Sequence, residues 1–258
     1  MKITSLLENT TSRPDMYTEH GLSLYIETGR HRILFDMGQT SLFAENADML
    51  GIDLSAVELA VLSHGHYDHG GGLDTFLSRN DHAPVYIHRD AFLPHYNAAK
   101  KYIGLDPSLA DHPRIVYTSD FCRLGGTLSL YSCNDRERKH GSQSFGLTEK
   151  VGDQFIPDDF RHEQYLLIEE NGKRVLISGC SHKGILDIVG WFTPDVLVGG
   201  FHFSKMPLDG TLADEAEALA SYPTEYYTCH CTGVDQFAYM KRYMKDLNYL
   251  SCGESIDI

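Results

Sequence analysis

Hydrophobic and polar residues alternate in four segments, two in each half of the chain. The segments are 22–28, 32–36, 164–169 and 174–178. Alternation with period two is typical of half-buried strands. Gly29-Arg30 separates the first two segments, and Asn171-Gly172, a pair that favours tight hairpin turns, lies between the last two. The pattern therefore predicts a β-hairpin in each half.

Apolar residues with helical spacing alternate with short apolar runs along the rest of the chain. The predicted helices are 41–50, one through 185–189, 212–220 and 234–247. The short runs predict strands at 58–62, 84–88, 195–200, 225–229 and from Tyr249 onwards. Gly51 suits the position just after the first helix. Strands alternating with helices, with polar residues repeatedly at strand ends, predict an α/β (α+β) fold of the αββα sandwich type.

Composition limits the size of the fold and the kind of partner. The 258 residues are 42% hydrophobic, which is enough for a substantial core in one domain spanning 1–258. The 36 acidic and 22 basic residues give a net charge of −14, which disfavours nucleic acid and membrane partners. No apolar run has membrane-spanning length, and residues 1–8 lack the core of a signal peptide. We expect a soluble, cytoplasmic protein with a small-molecule substrate; the sequence leaves the oligomeric state open.

The six cysteines do not predict disulfides, because a large domain without an export signal does not need them. Cys229-His230-Cys231 resembles a thiolate metal motif. If the segment is extended, however, both thiols share one face and the histidine points to the other. We therefore expect small buried thiols beside a histidine.

A cluster of metal-type side chains follows the strand predicted at 58–62. It reads Ser63-His64-Gly65-His66-Tyr67-Asp68-His69 and is followed by three glycines. Neutral imidazole and carboxylate are ligands that borderline divalent metals prefer, and a turn leaving a strand can point several of them at one place. The glycines allow a tight turn before a helix that starts near Leu73. The cluster predicts a metal site.

The motif His64-x-His66-x-Asp68-His69 resembles the signature of the metallo-β-lactamase superfamily. Further similar stretches are Phe35-Asp36-Met37-Gly38, Ser178-Gly179-Cys180-Ser181-His182, Gly199-Gly200-Phe201-His202 and His230-Cys231-Thr232-Gly233. The last three stretches resemble the branch of dihydropterin–ribofuranosylaminobenzene phosphate synthase-like proteins. The resemblance extends over nearly the whole chain.

The resemblance implies a pair of metal positions. His64 and His66 would bind one ion, and Asp68, His69 and the matching histidine His230 would bind the other. Asp36 would support the metal loop from outside. We expect one to two divalent ions per chain, zinc first and manganese or iron next.

The middle motif departs from the family pattern. Gly179 is followed by Cys180 where relatives have a bridging aspartate, and no clean match exists for the histidine upstream. We assign His182 as the ligand from this motif. Candidates for the missing ligands are Cys180, Asp159, His162 and Glu163. A buried, inert thiol is the favoured interpretation of Cys180, because free cysteine is among the most buried residue types. For His88 we favour a structural role.

Residues 89–160 carry no clear periodicity, and by analogy with the family they are expected to cover the metal cleft and set substrate choice. The charged run 135–140 is expected to be a solvated turn.

These observations predict a metal-dependent hydrolase of a small ester, phosphoester or lactone. A metal-bound hydroxide would attack the substrate, Asp68 would hold the metal and orient the hydroxide, and His202 would protonate the leaving group. Two alternatives remain: a synthase-like transferase, as the branch implies, and a metal-binding sensor without turnover.

Overall fold

The structure is a computed structural model that describes residues 1–140 and 145–258. In chain order its strands are β1 (Lys2–Leu7), β2 (Ser23–Glu27), β3 (Arg32–Phe35), β4 (Leu59–Val61), β5 (Val85–His88), β6 (His95–Tyr96), β7 (Ile115–Thr118), β8 (Phe121–Gly125), β9 (Leu128–Tyr131), β10 (Thr148–Val151), β11 (Gln154–Pro157), β12 (Tyr165–Glu170), β13 (Lys173–Ile177), β14 (Val196–Gly199), β15 (Glu225–Thr228), β16 (Leu247–Tyr249) and β17 (Ser255–Asp257). The α-helices are α1 (Leu42–Met49), α2 (Tyr67–Gly70), α3 (Leu73–Arg79), α4 (Ile185–Phe192), α5 (Gly210–Ala220) and α6 (Val234–Met240). Short 3-10 helices cover Leu54–Ala56, Pro107–Leu109 and His230–Thr232.

Two seven-stranded sheets are built from the described residues. The first has the order β17-β1-β2-β3-β4-β5-β7, and the second has the order β16-β15-β14-β13-β12-β9-β8. Each sheet is antiparallel on the side of its hairpin and parallel on the other side. The two halves of the chain therefore repeat one design. A small sheet, β11-β10-β6, lies outside both.

Three buried clusters divide the molecule into layers. One lies between the two sheets and includes Ile26 and Val61 of the first sheet with Leu166 and Val198 of the second. A second packs the first sheet against α1 and α3, and a third packs the other sheet against α4, α5 and α6. Burial on both faces explains the continuous apolar runs in the central strands. The fold is the predicted αββα sandwich.

The hairpins form as the alternation predicts. β12 and β13 pair with Glu170 opposite Lys173, and Asn171 and Gly172 between them have φ of 53° and 78°. Positive φ at both turn residues is what a type I′ turn requires, so the Asn-Gly signal is confirmed. Gly51 after α1 also has positive φ, 71°, as expected for a residue that ends a helix.

The C-terminal prediction was wrong in two places. The helix predicted over 234–247 ends at Met240, and Leu247 instead begins β16, which pairs in parallel with β15. Apolar residues continue at helical spacing past Met240, but they are used for packing and sheet pairing. The strand predicted from Tyr249 ends there, and a further strand, β17, pairs with β1.

The segment 89–160 contributes to both large sheets. β7 extends the first sheet, β8 and β9 extend the second, and β6, β10 and β11 form the small one. The charged run 135–140 is exposed at most positions, as predicted for a turn. That this segment covers substrate stays a prediction.

Helices that could span a membrane, long and apolar over their whole length, do not occur among the residues that the structure describes.

Candidate metal centre

The parallel strands of the two sheets end in loops that bring polar side chains together. The loop after β4 carries His64 and His66, α2 carries Asp68 and His69, the loop after β13 carries Cys180 and His182, and the loop after β15 carries His230. Crevices beyond the carboxyl ends of parallel strands are the usual ligand sites of such sheets. The six predicted ligands all lie at this edge and are at least nine-tenths buried.

The first donor set consists of His64, His66 and His182. The Nε2 atoms of His64 and His182 are 3.3 Å apart, and the ring centroids of His66 lie 4.6 Å from His64 and 5.0 Å from His182. One ligand atom from each of the three lies within 4.8 Å of the others, a grouping that can hold a metal ion. This set supports the assignment of His182 to the middle motif.

The second donor set consists of Asp68, His69 and His230. The Nε2 atoms of His69 and His230 are 3.2 Å apart, and Oδ2 of Asp68 is 3.4 Å from Nε2 of His230 and 3.9 Å from that of His69. Asp68 and His69 reach the site because they lie on α2, a single helical turn that the sequence patterns did not predict.

Cys180 lies between the two sets. Its Sγ is 3.1 Å from Nε2 of His69, and it groups with His64 and His69 as a further candidate ligand. Burial, and after it the neighbouring Cys231, raises the pKa of the Cys180 thiol. The predicted burial of Cys180 is confirmed, and the side chain sits where a ligand shared by both positions would be. That the thiol is inert stays a prediction.

Asp36 fixes the orientation of one histidine in each set. Its carboxylate accepts hydrogen bonds from the Ser63 backbone N–H and hydroxyl and from Nδ1 of His69, each at 2.7 Å. Because the Ser63 hydroxyl donates to Asp36, it accepts from Nδ1 of His64, 2.8 Å away. In their neutral forms both histidines therefore carry their proton on Nδ1 and present a lone pair at Nε2. Asp36 has the supporting position that the family resemblance implied.

His230 is oriented from the N-terminal part of the chain. Its Nδ1 lies 2.8 Å from Oδ1 of Asn9, and its backbone N–H donates to the buried Glu8 at 2.6 Å. The same Glu8 oxygen accepts from the Tyr249 hydroxyl. The proton on His230 is thus on Nδ1, and its Nε2 also presents a lone pair.

The donor atoms fit a cation. Nε2 of His69 and Nε2 of His230 are both acceptors when the rings are neutral, and they face each other at 3.2 Å. Two buried lone pairs at that distance need a proton or a metal ion between them. Imidazole, carboxylate and thiol donors together suit zinc and its neighbours in the first transition series better than magnesium or calcium.

The two sets differ in charge. Burial lowers the pKa of His64, His66 and His182 well below the ordinary value. Burial has the same tendency at His69, but Asp36 and Asp68 outweigh it and raise the pKa of His69 to about 9.

Asp68 is ionised at neutral pH. Burial alone would raise its pKa, but the charge of His69, followed by the neighbouring imidazoles of His20 and His230, holds the pKa of Asp68 well below its ordinary value. The second set is therefore charged, whereas the first is neutral.

The glycines after the cluster act by close approach. A Cβ on Gly71 would lie 2.3 Å from the Gln39 carbonyl oxygen, and one on Gly72 would lie 2.2 Å from that of Met37. Both have negative φ, so no left-handed conformation is needed. They let α2 and α3 pack directly on the loop that follows Asp36, and α3 begins at Leu73 as predicted.

The predicted acid His202 lies beside the first set. Its ring centroid is 4.3 Å from that of His182, and both of its ring nitrogens lack a hydrogen-bond partner among the described residues. A small cleft of about 40 Å³ adjoins it, lined in part by Ser181, Phe203 and Glu215.

Other residues considered from the sequence make contacts that do not involve the ring or carboxylate atoms of the donor sets. Glu163 accepts from the backbone N–H groups of His182 and Lys183 and from the Tyr165 hydroxyl, so it positions the loop that carries His182. Asp159 is exposed and accepts from Arg161 in its own loop. His88 is buried and accepts from the Asp90 backbone N–H, consistent with a structural role.

His162 belongs to a separate group with His66, His95 and Asp158. The sequence reasoning missed His95 and Asp158, and no motif or spacing marks either of them.

Two further residues near the ligands were also missed. Nε2 of His20, an exposed side chain at the rim, is 3.2 Å from Oδ2 of Asp68. Cys231 groups with Cys180 and His202. The extended geometry assumed for 229–231 was wrong, because His230 has φ of 47° and starts a 3-10 turn that directs Cys231 towards the site. Residues 10–20 are polar and without periodicity, which indicates a loop at the rim of the site but does not single out His20.

Known proteins provide an independent comparison. The model of the metallo-β-lactamase superfamily matches residues 17–228. An uncharacterized protein of Methanocaldococcus jannaschii is 29% identical over 238 residues, covering 88% of this chain and 90% of that protein. In the same organism, 7,8-dihydropterin-6-methyl-4-(beta-D-ribofuranosyl)-aminobenzene-5'-phosphate synthase is 26% identical over 285 residues, covering 99% of this chain and 96% of that protein.

Solved structures agree on the fold. Tm1679, described as a metal-dependent hydrolase of the beta-lactamase superfamily, superposes with a TM-score of 0.85 at 27% identity, covering 100% of this chain and 99% of that one. Zn(2+)-bound PqqB from Methylobacterium extorquens gives a TM-score of 0.63 at 12% identity, covering 100% of both chains, and shares the fold alone. The family model covers most of the sequence, and the donor sets lie at the strand ends of an αββα sandwich: the chain belongs to the metallo-β-lactamase superfamily.

Proposed function

We propose that the protein is a metal-dependent hydrolase of a small ester, phosphoester or lactone. The observation that carries the proposal is the meeting of two donor sets, with Cys180 between them, at one buried edge of the sandwich. His64, His66 and His182 would hold one divalent ion, and Asp68, His69 and His230 would hold the other. Zinc is the proposed metal, with manganese or iron as the next choices.

The chain's own residues supply positioning and proton transfer. When bound, the ions make a water molecule acidic enough to act as nucleophile near neutral pH and stabilise negative charge on the substrate. Asp68 contributes a fixed negative charge beside His20 and His230 and is suited to orient that water. His202, with no partner on either ring nitrogen, is suited to donate a proton to the leaving group.

Two further parts of the proposal concern the kind of substrate and the location of the protein. The net charge of −14 favours a small substrate over nucleic acid or a membrane surface. A cytoplasmic location stays part of the proposal.

A transferase is the second candidate. It is favoured by the relative of M. jannaschii that matches 99% of this chain and is named as a synthase of a pterin-linked ribofuranosylaminobenzene phosphate. Such a reaction would use the same donor sets to bind phosphate and pterin oxygens.

The experiment is a metal analysis followed by a substrate screen. Protein purified without added metal should contain one to two equivalents of divalent ion. The protein should hydrolyse substrates from a screen of phosphodiesters, lactones and thioesters. A chelator should abolish this activity, and added zinc, manganese or iron should restore it. A protein that stays metal-free after zinc reconstitution contradicts the proposal. Bound metal with no hydrolysis, but with condensation of a dihydropterin and a ribosylated aminobenzene phosphate, would favour the transferase.

A further inference from the structure

The histidines of the two donor sets differ in whether a second buried ring nitrogen has a hydrogen-bond partner. In His64, His69 and His230 that nitrogen, Nδ1, contacts Ser63, Asp36 or Asn9 at 2.7–2.8 Å. Nε2 of His66 is also buried, but it has no hydrogen-bond partner among the described residues. A buried imidazole N–H without an acceptor is energetically unfavourable, because it has lost its hydrogen bond to water.

A second unpartnered nitrogen lies on a neighbouring ring. His95, on β6, is fully buried, and its Nδ1 is 2.8 Å from Oδ2 of Asp158. Asp158 also accepts from the Phe160 backbone N–H at 2.7 Å, as expected of a buried carboxylate that only accepts. The proton of His95 is therefore on Nδ1, and its Nε2 carries a lone pair that has no partner among the described residues.

His162 cannot supply the acceptor that His66 lacks. Its Nδ1 accepts from the Gly65 backbone N–H at 2.9 Å, so its proton is on Nε2, 3.3 Å from Oδ2 of Asp158. Both of its ring nitrogens are therefore in use. Of the rings that group with His66 on this side, His95 alone has a free acceptor.

The two rings are placed for a hydrogen bond between them. The centroids of His66 and His95 are 5.6 Å apart, and the ring planes are nearly perpendicular at 77°. A linear hydrogen bond between two imidazoles, with about 3 Å between nitrogens, holds the centroids roughly 5 Å apart. The observed centroid distance of 5.6 Å is close to this value, so the two rings are near enough for their unpartnered nitrogens to be joined when His66 turns towards His95.

We propose that His95 and Asp158 are positioning residues for the metal ligand His66. Nε2–H of His66 donates to Nε2 of His95, and Nδ1–H of His95 donates to Asp158, which leaves Nδ1 of His66 to bind the ion. Such outer contacts fix the tautomer and ring orientation of a ligand and increase its basicity. The inference rests on the metal-binding part of the proposed function and does not depend on hydrolysis.

The test measures metal binding in the full-length protein with Co²⁺ as the probe. His95→Leu removes the acceptor, whereas His95→Gln keeps one acceptor and one donor at a similar reach. His88→Leu is the matched control, because His88 is an equally buried histidine near an aspartate, with Nδ1 3.7 Å from Asp90, outside the donor sets. Dissociation constants, the number of Co²⁺ equivalents and the visible absorption of bound Co²⁺ are measured for each variant.

We expect His95→Leu to weaken one Co²⁺ equivalent by about 10–100-fold and to change its visible spectrum. His95→Gln should restore most of the affinity, and His88→Leu should bind like the wild type. Dissociation constants and spectra of His95→Leu equal to those of the control overturn the inference. The inference is also overturned if the wild type binds one Co²⁺ equivalent more than His95→Leu does, because His95 would then be a ligand itself.

A second measurement covers the case in which His95→Leu does not fold. In the zinc-loaded wild type, long-range ¹⁵N–¹H spectra of the histidines should show His66 protonated on Nε2 and His95 protonated on Nδ1. The opposite tautomer in either ring overturns the inference. Wild-type protein that binds neither Co²⁺ nor zinc would instead refute the proposed function, so the two failures are distinguishable.

Discussion

The two donor sets differ in charge and in how firmly they are held before any metal binds. The second set contains the ionised Asp68 and a histidine whose pKa is raised to about 9, and its ring nitrogens are fixed by Asp36 and Asn9. The first set is made of neutral imidazoles, and neither His66 nor His182 has a partner for its second buried nitrogen among the described residues.

We infer that the second position is the more firmly preorganised of the two, whereas the first depends on its surroundings. A charged, rigid site costs little reorganisation when the ion arrives.

The largest effect is expected at Asp68. Asp68→Asn keeps the shape of the side chain but removes the charge that draws the ion and orients the water. Hydrolysis should fall by about 10³-fold or more, with the fold intact by circular dichroism. Asp159→Asn, an exposed aspartate outside the donor sets, is the control and should have normal rates. Normal turnover in Asp68→Asn would remove the proposed mechanism.

The metal content of variants distinguishes the two donor sets. His182→Ala should empty the first position and leave the second filled, with a loss of affinity larger than the roughly 100-fold cost of removing an outer contact. Cys180→Ser should weaken both positions, because its Sγ lies between them. Elemental analysis after dialysis against a weak chelator provides the measurement. Loss of the same ion in both variants, with the other unaffected, would contradict this division.

Acid should destabilise the metal-free protein through the histidines around the first set. Burial, followed by His95, lowers the pKa of His162 to about 4, although Asp158 opposes the shift. The pKa of His162 is therefore lower in the folded chain than in the unfolded chain. Between pH 6.5 and about 4, only the unfolded chain protonates this histidine. Stability from His162 is thus fully present above pH 6.5 and is lost as the pH falls towards 4, by about 3 kcal/mol.

Urea unfolding of the metal-free protein at pH 7.5, 6, 5 and 4.5 measures this loss. His162→Gln should flatten the pH dependence, whereas substitution of the exposed His82 should leave it unchanged. For His69 the sign is opposite, since its raised pKa stabilises the fold below pH 6.5 and that contribution is lost as the pH rises through about 9. Equal slopes in wild type and His162→Gln would refute the assignment.

The smallest effect is expected at His202. If His202 protonates the leaving group, His202→Ala should slow substrates with poor leaving groups by about 10–100-fold and leave nitrophenyl esters nearly unaffected. Rates on matched pairs of substrates measure this difference. Equal slowing on both would assign His202 to substrate binding or to packing against His182.

The fold and the grouping of the motif side chains could be predicted because both are encoded locally; that these side chains bind metal stays a prediction. Alternation, an Asn-Gly turn and helical spacing are properties of neighbouring residues, and the cluster at 64–69 places four donors within six positions. The helix predicted over 234–247 failed because sheet pairing overrode a continuing periodicity.

The missed residues are encoded by tertiary contacts instead. His95 meets Asp158 across 63 positions, and His20 reaches Asp68 from a loop without regular structure. Neither contact leaves a spacing in the sequence. Cys231 was misjudged for a related reason, since the turn at His230 depends on contacts with Glu8, more than 200 positions away.

Backbone conformation at the strand ends has a consequence for the folding energy of the chain. Asp36, Ser181, His202 and His230 all have φ between 47° and 61°, a left-handed conformation that costs a non-glycine residue roughly 1–2 kcal/mol. In each case the turn occurs within a few residues after a strand, where it swings the following loop across the edge of the sheet.

The edge that carries the two donor sets therefore contains strained backbone, which the packing of the hydrophobic layers must stabilise. Glycine at Ser181, which is outside the donor sets, would relieve part of this strain, and glycine at Asp36 or His230 would relieve it only by removing a functional side chain. The left-handed turns therefore lower the stability of the fold, and they orient the side chains at the strand ends.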